Sequence, residues 1–320
     1  MLCAVRQVPV APFLFTRKLA RSIADNPLVD ENPATSKAGP RGVVKMATGD
    51  YRMWYEVAPA GNVSDGKYAT SPNGRVWTKQ SVVIAHGAAG LWDEDEASPT
   101  SVLLDGGQLV MYYHSHLNAP SVRKIGRATS SDGGLTWTKY ASNPVLQGAV
   151  APSWEDSMLA DAKVLKVGAT YHMLYRGGVG SASALGHATS SDGIAWTKDG
   201  ANPVIDDPAV AWGEGLTVRN ITAAGFWHDG VRFHAIYTAQ DTGGAFIGLG
   251  YTYSADSTTW THPAGSPVLR INPVSGSEDD AGVGDTIEIY QDGDLLRVLY
   301  GGFRGSPDNA TICEATVHLV

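Results

Sequence analysis

The sequence lacks several features that mark common classes of protein. It contains only two cysteines, Cys3 and Cys313, so neither a disulfide network nor a cysteine-rich metal site can hold the fold together. No uninterrupted run of about 18 apolar residues occurs, which excludes a membrane-spanning helix. Lysine and arginine never cluster beyond adjacent pairs and the formal net charge is −8. We therefore expect no nucleic-acid partner and no membrane partner.

The N-terminus has no convincing signal peptide. Residues 1–20 are mildly apolar, but Arg6 interrupts the run, and Arg17 and Lys18 follow it. A signal peptide has the opposite order, with basic residues first and an unbroken apolar core behind them. We expect a soluble protein that is cytoplasmic or is released without a classical signal. The sequence leaves its oligomeric state open.

One phrase is repeated four times along the chain. The copies are TSPNGRVWTK (70–79), TSSDGGLTWTK (129–139), TSSDGIAWTK (189–198) and YSADSTTWTH (253–262), and their tryptophans are Trp77, Trp137, Trp196 and Trp260. These tryptophans are separated by 60, 59 and 64 residues. Such a period suits a unit of four short strands and differs from the common helical repeats.

Apolar strands ending in or near tyrosine give the number of units. They are YRMWYE (51–56), LVMYYH (109–114), YHMLYR (171–176), FHAIYT (233–238) and LRVLYG (296–301). Each follows a turn and another strand and precedes a strand of small residues, a pattern typical of antiparallel meanders. We predict an all-β fold, a single five-bladed β-propeller over residues 1–320. Its four-stranded blades are expected at about 38–84, 98–146, 160–205, 218–269 and 284–320.

The fifth unit ends before its outer strand. Near the N-terminus, FTRK (15–18) and NPLV (26–29) resemble the outer-strand phrases of the other units, so we predict that a segment at about 9–29 completes the last blade. Closing the ring in this way protects strand edges. It would also bring Cys3 near Cys313, either as a disulfide or as two unrelated thiols.

Acidic residues gather at one predicted face. In a meander, the loop that enters the first strand and the end of the second strand share a face, and here these segments are 30–31, 92–96, 154–156, 212–214 and 278–280, with Glu56, His114 and Arg176 at second-strand ends. The first channel-lining positions are predicted at Arg41, Pro99, Asp161, Arg219 and Asp285. Convergent carboxylates at a concave mouth indicate a site. Single acids in 93–96 and 278–280 are expected to be solvated loop charges.

The tryptophans have two different interpretations. Those of the repeated phrase recur at unit spacing and are interpreted as core. The phrase itself matches the Asp-box of sialidases, whose Asp and Ser bond the local backbone, so it indicates turns and not catalysis. Trp92 and Trp154, the latter beside Glu155, lie in the acidic loops, where they either stack on sugar rings or plug gaps between blades.

These phrases, with WEDSMLADAKVLKVGATYHMLYRGG at 154–178, resemble the five-bladed glycosidases of glycoside hydrolase families 32, 43 and 130, and family 43 most closely. The resemblance implies hydrolysis of a plant- or microbe-derived oligo- or polysaccharide, in the manner of an arabinofuranosidase or xylosidase, with no required cofactor. Carboxylates at the channel mouth would serve as acid and base. It implies that Asp161 tunes the pKa of the acid and that Glu214 is the proton donor.

Arg41 departs from this pattern, because it stands where the family has its catalytic base. Asp30 or Glu31, Glu56 and Asp285 are candidate replacements. The candidate catalytic residues are therefore Asp161, Glu214, Asp285 and Glu56, and the candidate substrate-binding residues are Arg41, Arg176, Arg219, His114, Trp92, Trp154 and Glu155.

Other classes of function stay open. Arg41 at the base position favours a non-catalytic carbohydrate-binding or attachment propeller. A sialidase-like enzyme would use an arginine cluster, for which Arg41, Arg176, Arg219 and Arg304 are available, but a count of five units argues against it. His114 and His116 leave a metal-dependent variant open without a complete ligand set, and a structural calcium ion in the channel is a further alternative.

Overall fold

The computed structural model describes residues 20–21, 36–59, 64–118, 121–180, 182–206, 218, 220–241, 243–263, 266–271, 277–305 and 310–318. These residues form twenty β-strands and no helix. Within them, accordingly, no helix is long and apolar enough to cross a membrane. The predicted all-β class holds for the described part of the chain.

The strands form antiparallel meanders, which we number as units one to five. Unit one contains β2 (Ser36–Lys45), β3 (Tyr51–Pro59), β4 (Ser64–Ser71) and β5 (Thr78–Ile84), and unit two contains β6 (Glu96–Asp105), β7 (Gln108–Asn118), β8 (Ser121–Ser130) and β9 (Thr138–Lys139). Unit three contains β10 (Met158–Val167), β11 (Thr170–Val179), β12 (Ala182–Ser190) and β13 (Thr197–Lys198), and unit four contains β14 (Asn220–His228), β15 (Phe233–Gln240), β16 (Phe246–Ser254) and β17 (Trp260–Thr261). Unit five contains β18 (Gly282–Asp292), β19 (Leu295–Phe303) and β20 (Ala310–His318), with β1 (Ala20–Arg21) along β20. This arrangement is consistent with a β-propeller.

The N-terminal strand pairs with the last strand of the chain. Ala20 lies opposite Thr316 and Arg21 lies opposite Ala315. Only these two residues of the predicted segment 9–29 are described, so closure of the ring stays a prediction. Cys313 is buried on β20, whereas Cys3 lies outside the described residues, so their pairing is untested.

A buried tyrosine in the second strand shapes each unit. The five are Tyr55, Tyr113, Tyr175, Tyr237 and Tyr300, all at most 1% exposed. In units two to four the third strand places a glycine opposite this tyrosine. A Cβ atom on Gly126, Gly186 or Gly250 would collide with the ring, so these strand glycines make room for an aromatic side chain.

The repeated phrase forms the turn before the fourth strand. Asp132 Oδ1 accepts hydrogen bonds from the backbone N–H groups of Leu135 and Thr136, both at 3.0 Å. Ser130 Oγ accepts the N–H of Gly134 at 2.8 Å. Equivalent contacts recur at Asp192 and Asp256 in units three and four. The predicted turn role of the phrase is confirmed.

The tryptophans of this phrase pack between units. Trp137 meets Trp54 of unit one edge-on, with 5.7 Å between ring centroids, and Trp196 meets Tyr112 of unit two at 5.8 Å. Trp77 packs on a core cluster that includes Leu299 of unit five. The interpretation of these residues as core is confirmed, and their contacts hold neighbouring sheets together.

Histidines lie where units three and four meet. His172 on β11 contacts His187 on β12, with 3.2 Å between Nδ1 and Nε2, and its ring lies 4.7 Å from that of Phe233 on β15. Burial, with His187 and His228, lowers the pKa of His172 to about 4. Burial also lowers the pKa of His187. The folded protein therefore keeps these imidazoles neutral at pH values where an unfolded chain protonates them.

We expect the free energy of unfolding to fall as the pH drops from about 6.5 towards 4, because unfolded His172 then binds a proton that the folded protein does not. In His172→Gln this contribution is absent, so Tm should decrease less between about pH 7 and about pH 4.5 than in the wild type. Differential scanning calorimetry measures both. His86→Gln, at an exposed histidine, is the matched control, and equal pH slopes for His172→Gln and the wild type would contradict the prediction.

Candidate active site

A β-bulge interrupts the first strand of every unit. The register with the second strand shifts between Pro40 and Gly42, Pro99 and Ser101, Ala160 and Lys163, Ile221 and Ala224, and Gly284 and Ile287. A bulge leaves a residue out of the ladder and redirects its side chain and backbone groups. Arg41, Asp161 and Asp285 all lie in these bulges.

In two units the bulge does not include the residue that was predicted to line the channel. In unit two the skipped residue is Thr100, whereas Pro99 pairs with Tyr113. In unit four the bulge holds Thr222 and Ala223, whereas the prediction was Arg219, which lies outside the described residues. The channel-lining position of unit four therefore stays a prediction.

Arg41 is the centre of a buried cluster of charges. Its Nη1 donates to Oδ1 of Asp161 in unit three, and its Nη2 donates to Oε2 of Glu56 on β3. The side chains of Arg41, Asp161 and Glu56 are 6%, 7% and 16% exposed. One guanidinium therefore binds two carboxylates from different units, which its planar fork of donors suits well.

His114, where the pairing of β7 with β6 ends, adds a further contact to Asp161. Its Nδ1 lies 3.3 Å from the backbone nitrogen of Asp161, and its Nε2 lies 3.3 Å from Oε1 of Glu96. Both His114 and Glu96 are buried. Burial alone would raise the pKa of Glu96, but His114, Arg123 and Arg41 hold it below its usual range.

Asp161 is an ionised carboxylate that is almost fully removed from solvent. Burial would raise its pKa, but Arg41, His114 and Arg176 together hold the pKa at about 2. Nη1 of Arg176 lies 3.7 Å from its Oδ2. The backbone φ of Asp161 is +50°, a left-handed conformation uncommon for residues other than glycine. Strain of this kind persists where surrounding contacts fix it, and it is frequent at functional sites.

The loop residues Trp92, Trp154 and Glu155 contact the scaffold. Trp92 packs on Tyr113 with 5.6 Å between ring centroids, and Trp154 stacks on Tyr175 at 6.1 Å. Glu155 accepts a hydrogen bond from the hydroxyl of Tyr175 at 2.7 Å and pairs with Lys198. Their predicted role in substrate binding stays a prediction, because these contacts are with their own unit.

The same contacts recur in unit two, and we call the arrangement the Tyr–acid–Lys tie. Asp93 accepts from the hydroxyl of Tyr113 at 3.3 Å and from Lys139 at 2.6 Å. In unit five, Asp279 accepts from Tyr300 at 2.9 Å. Asp93, Glu96 and Asp279 are only 3%, 6% and 3% exposed, so the expectation of solvated loop charges was wrong for them. Each has gained hydroxyl, lysine or histidine partners in place of water.

The cluster therefore unites five predicted site residues, namely Asp161, Arg41, Glu56, His114 and Arg176. Glu214 and Arg219 lie outside the described residues, and Asp285 is described only by its backbone in the bulge of β18. Sequence reasoning missed Glu96. The signal for it was topological, since an acid at the start of the first strand lies beside the part of the second strand where the pairing of the two ends.

Within the described ranges, no group of three or more His, Cys, Asp or Glu side chains is arranged to hold a metal ion. The side chain of His116 is not among those described. The predicted alternatives of a metal-dependent variant and of a structural calcium ion are therefore untested.

Comparison with known families shows that the charge cluster lies in a region that matches a family model. A model of the glycosyl hydrolases family 32 N-terminal domain matches residues 34–201, just over half of the chain. The chain belongs to this family. The match includes Arg41, Glu56, His114, Asp161 and Arg176, so the buried cluster lies within the family 32 region. No curated protein matches the chain in sequence.

Solved structures of glycosidases resemble this family 32 chain. Zg3597, a family 117 glycoside hydrolase of the marine bacterium Zobellia galactanivorans, matches at a TM-score of 0.68 and 14% identity over 95% of this chain and 90% of that one. A thermostable family-43 glycoside hydrolase matches at 0.67 and 18% over 91% and 92%. The β-fructofuranosidase BmSUC1 of Bombyx mori, from family 32, matches at 0.63 and 13% over 96% and 64%. At these identities the likeness shows the fold.

We expect Arg41→Met to raise the pKa of Asp161 by about one unit or more, because the nearest opposite charge is lost while the carboxylate stays buried. NMR titration of protein carrying ¹³C-labelled aspartate measures this. The control is Arg52→Met. It removes a different arginine of β3, which pairs with Asp50 on the preceding turn. An Asp161 resonance that titrates as in the wild type would show that Arg41 does not set its charge.

Proposed function

We propose that this protein is a glycoside hydrolase that cleaves a plant- or microbe-derived oligo- or polysaccharide, in the manner of an arabinofuranosidase or xylosidase, with carboxylates at the mouth of the channel. The observation that carries the proposal is the strained, ionised Asp161, held by Arg41, His114 and Arg176. A buried carboxylate kept charged by positioned cations is typical of a tuned catalytic site.

The proposed roles follow from exposure and charge. Asp161 stays ionised and cannot donate a proton at neutral pH, so it orients the site and tunes the proton donor. Glu56 shares Arg41 with it but is more exposed, which favours Glu56, or Asp285 from unit five, as the base that activates water. Glu214 donates the proton to the departing glycosidic oxygen. Arg176 and Arg219 orient the sugar.

The proposal includes the architecture of the whole chain. The five units form the five blades of one propeller over residues 1–320, with blades at about 38–84, 98–146, 160–205, 218–269 and 284–320. The N-terminal segment completes the fifth blade, which the pairing of β1 with β20 supports. This ring brings the first strands around one channel with the cluster at its mouth.

A carbohydrate partner is supported by the relatives. The Bombyx mori β-fructofuranosidase has been solved with sucrose, a substrate with a furanoside ring, and the family-43 relative is a glycoside hydrolase. We propose a furanoside or xyloside substrate and no required cofactor. A sialidase-like reaction is less favoured, because the guanidinium of Arg41 already binds two carboxylates of the protein.

Non-catalytic carbohydrate binding is the second candidate. The observation that favours it is Arg41 itself, which occupies the expected base position and pairs with both Asp161 and Glu56. Such pairing stabilises a pocket but also occupies the carboxylates. The two functions are separated by turnover.

We expect the wild type to release nitrophenol from an arabinofuranoside or xyloside in a panel of nitrophenyl glycosides. Asp161→Asn and Glu214→Gln should each lower kcat by about 100-fold or more. Glu214 donates the proton to the leaving group, and Asp161 tunes the pKa of that donor. Asp50→Asn, at a carboxylate on the turn before β3, should keep wild-type kcat. If no glycoside, natural oligosaccharides included, is turned over while calorimetry detects sugar binding, the second candidate is correct.

We expect dialysis against EDTA to leave kcat and Tm unchanged, since acid–base chemistry by carboxylates needs no metal ion. Activity on the best nitrophenyl glycoside and thermal unfolding, before and after dialysis, measure this. A decrease in Tm that Ca²⁺ alone reverses would identify a structural calcium ion. A decrease in kcat that a transition metal reverses would contradict the proposed mechanism.

A further inference from the structure

A buried lysine lies directly beside the charge cluster and joins three units. Lys163, on β10 of unit three, follows the bulge that holds Asp161. Its Nζ donates to the backbone carbonyl of Arg41 in unit one at 2.8 Å and to Oε2 of Glu288 in unit five at 2.6 Å. The side chains of Lys163 and Glu288 are 7% and 13% exposed. One ammonium group therefore contacts the first strands of two other units.

The contact with Arg41 has a specific cause in the backbone. Pro40 pairs with Tyr55 and Gly42 pairs with Trp54, so Arg41 is the residue that the bulge leaves out of the ladder. A carbonyl removed from the ladder in a buried place needs another donor. Lys163 supplies that donor, and the backbone N–H of Val43, two residues further on, lies near Glu288 and counteracts the rise that burial causes in its pKa. Both members of the pair therefore lie beside the same stretch of β2.

Stability alone does not account for this pair. Burial lowers the pKa of Lys163 and raises that of Glu288, and each group counteracts the effect on the other. A buried ion pair is on average no more stabilising than apolar side chains of the same volume. Its directional contacts, however, fix where the bulge of β2 lies relative to β10. Apolar packing is not directional and would not fix this position.

The neighbouring residue fixes β10 from a third side. The backbone N–H of Val164 donates to Oγ of Ser101, on β6 of unit two, at 3.1 Å. Ser101 directly follows the bulge of its own strand. The segment around Lys163 is thus anchored to units one, two and five beside the bulges.

We infer that Lys163, with Glu288, is a positioning residue that sets the place of Arg41 and through it the distance between Asp161 and Glu56. The inference rests on the proposed function for its catalytic consequence, but the positioning itself is a property of the fold. Lys163 touches the backbone of Arg41 and acts on the carboxylates through that residue. It is a different role from those of the acid, the base and the tuning carboxylate.

The test is a double variant, Lys163→Met with Glu288→Gln, which removes both charges together so that neither is left buried alone. The matched control is Lys166→Met with Asp105→Asn, which removes another ion pair of β10, formed with β6 (2.8 Å) at a more exposed place. Thermal unfolding verifies that both double variants fold.

In the test variant we expect the pKa of Asp161, measured by ¹³C NMR, to rise by about one unit or more, because Arg41 no longer lies in place. We also expect kcat on the best nitrophenyl glycoside to fall by about 10-fold or more while KM changes less than about threefold. Lys163→Arg, which keeps a buried donor, should restore part of kcat. The control should match the wild type in all three measurements.

A folded test variant with wild-type titration of Asp161 and wild-type kcat would overturn the inference, as would equal effects in the control. If the wild type itself turns over no glycoside, the proposed function fails while the titration still decides the positioning role. If kcat falls but Asp161 titrates normally, Lys163 does not act through Arg41 and the inference is also overturned.

Discussion

Charges that are buried together must be paired, and this constraint governs the centre of the molecule. The bulges redirect Arg41 and Asp161 into a place with little solvent, where an unpaired ion would cost several kcal/mol. Arg41 and Asp161 therefore need each other, and the carbonyl that Arg41 loses from its ladder needs Lys163. Units one, three and five are consequently connected by polar contacts as well as by packing.

The same constraint explains what the sequence could and could not predict. Turns, periodic tryptophans and the strand pattern were predictable, because they depend on neighbours within a few residues or recur at a fixed spacing. Asp161 was found because the motif around it resembles a known family. Its contact with Arg41 spans 120 residues, and no local pattern reports which distant charge a bulge will face.

Burial was the property that sequence reasoning judged least well. An acid in a polar loop is ordinarily solvated, and Asp93 and Asp279 were assigned accordingly. Their burial depends on a tyrosine of the second strand and, for Asp93, on a lysine of the fourth, partners that only the folded meander brings within reach. Arg41 is a comparable case, since its identity suggested a lost base, whereas its contacts make it the group that keeps Asp161 charged.

The Tyr–acid–Lys tie differs in unit four in a way that has a consequence for evolution. Aligned on Trp92 and Trp154, the place of the acid beside Trp212 is taken by Gly213, and the place of the lysine is taken by His262. The hydroxyl oxygen of Tyr237 lies 3.5 Å from Nδ1 of His262. Both ends of the tie therefore differ in unit four from those of units two and three, where the acid and the lysine are present. Repeated units can thus diverge at an equivalent position, so evolution does not need to keep every contact of the scaffold in every copy.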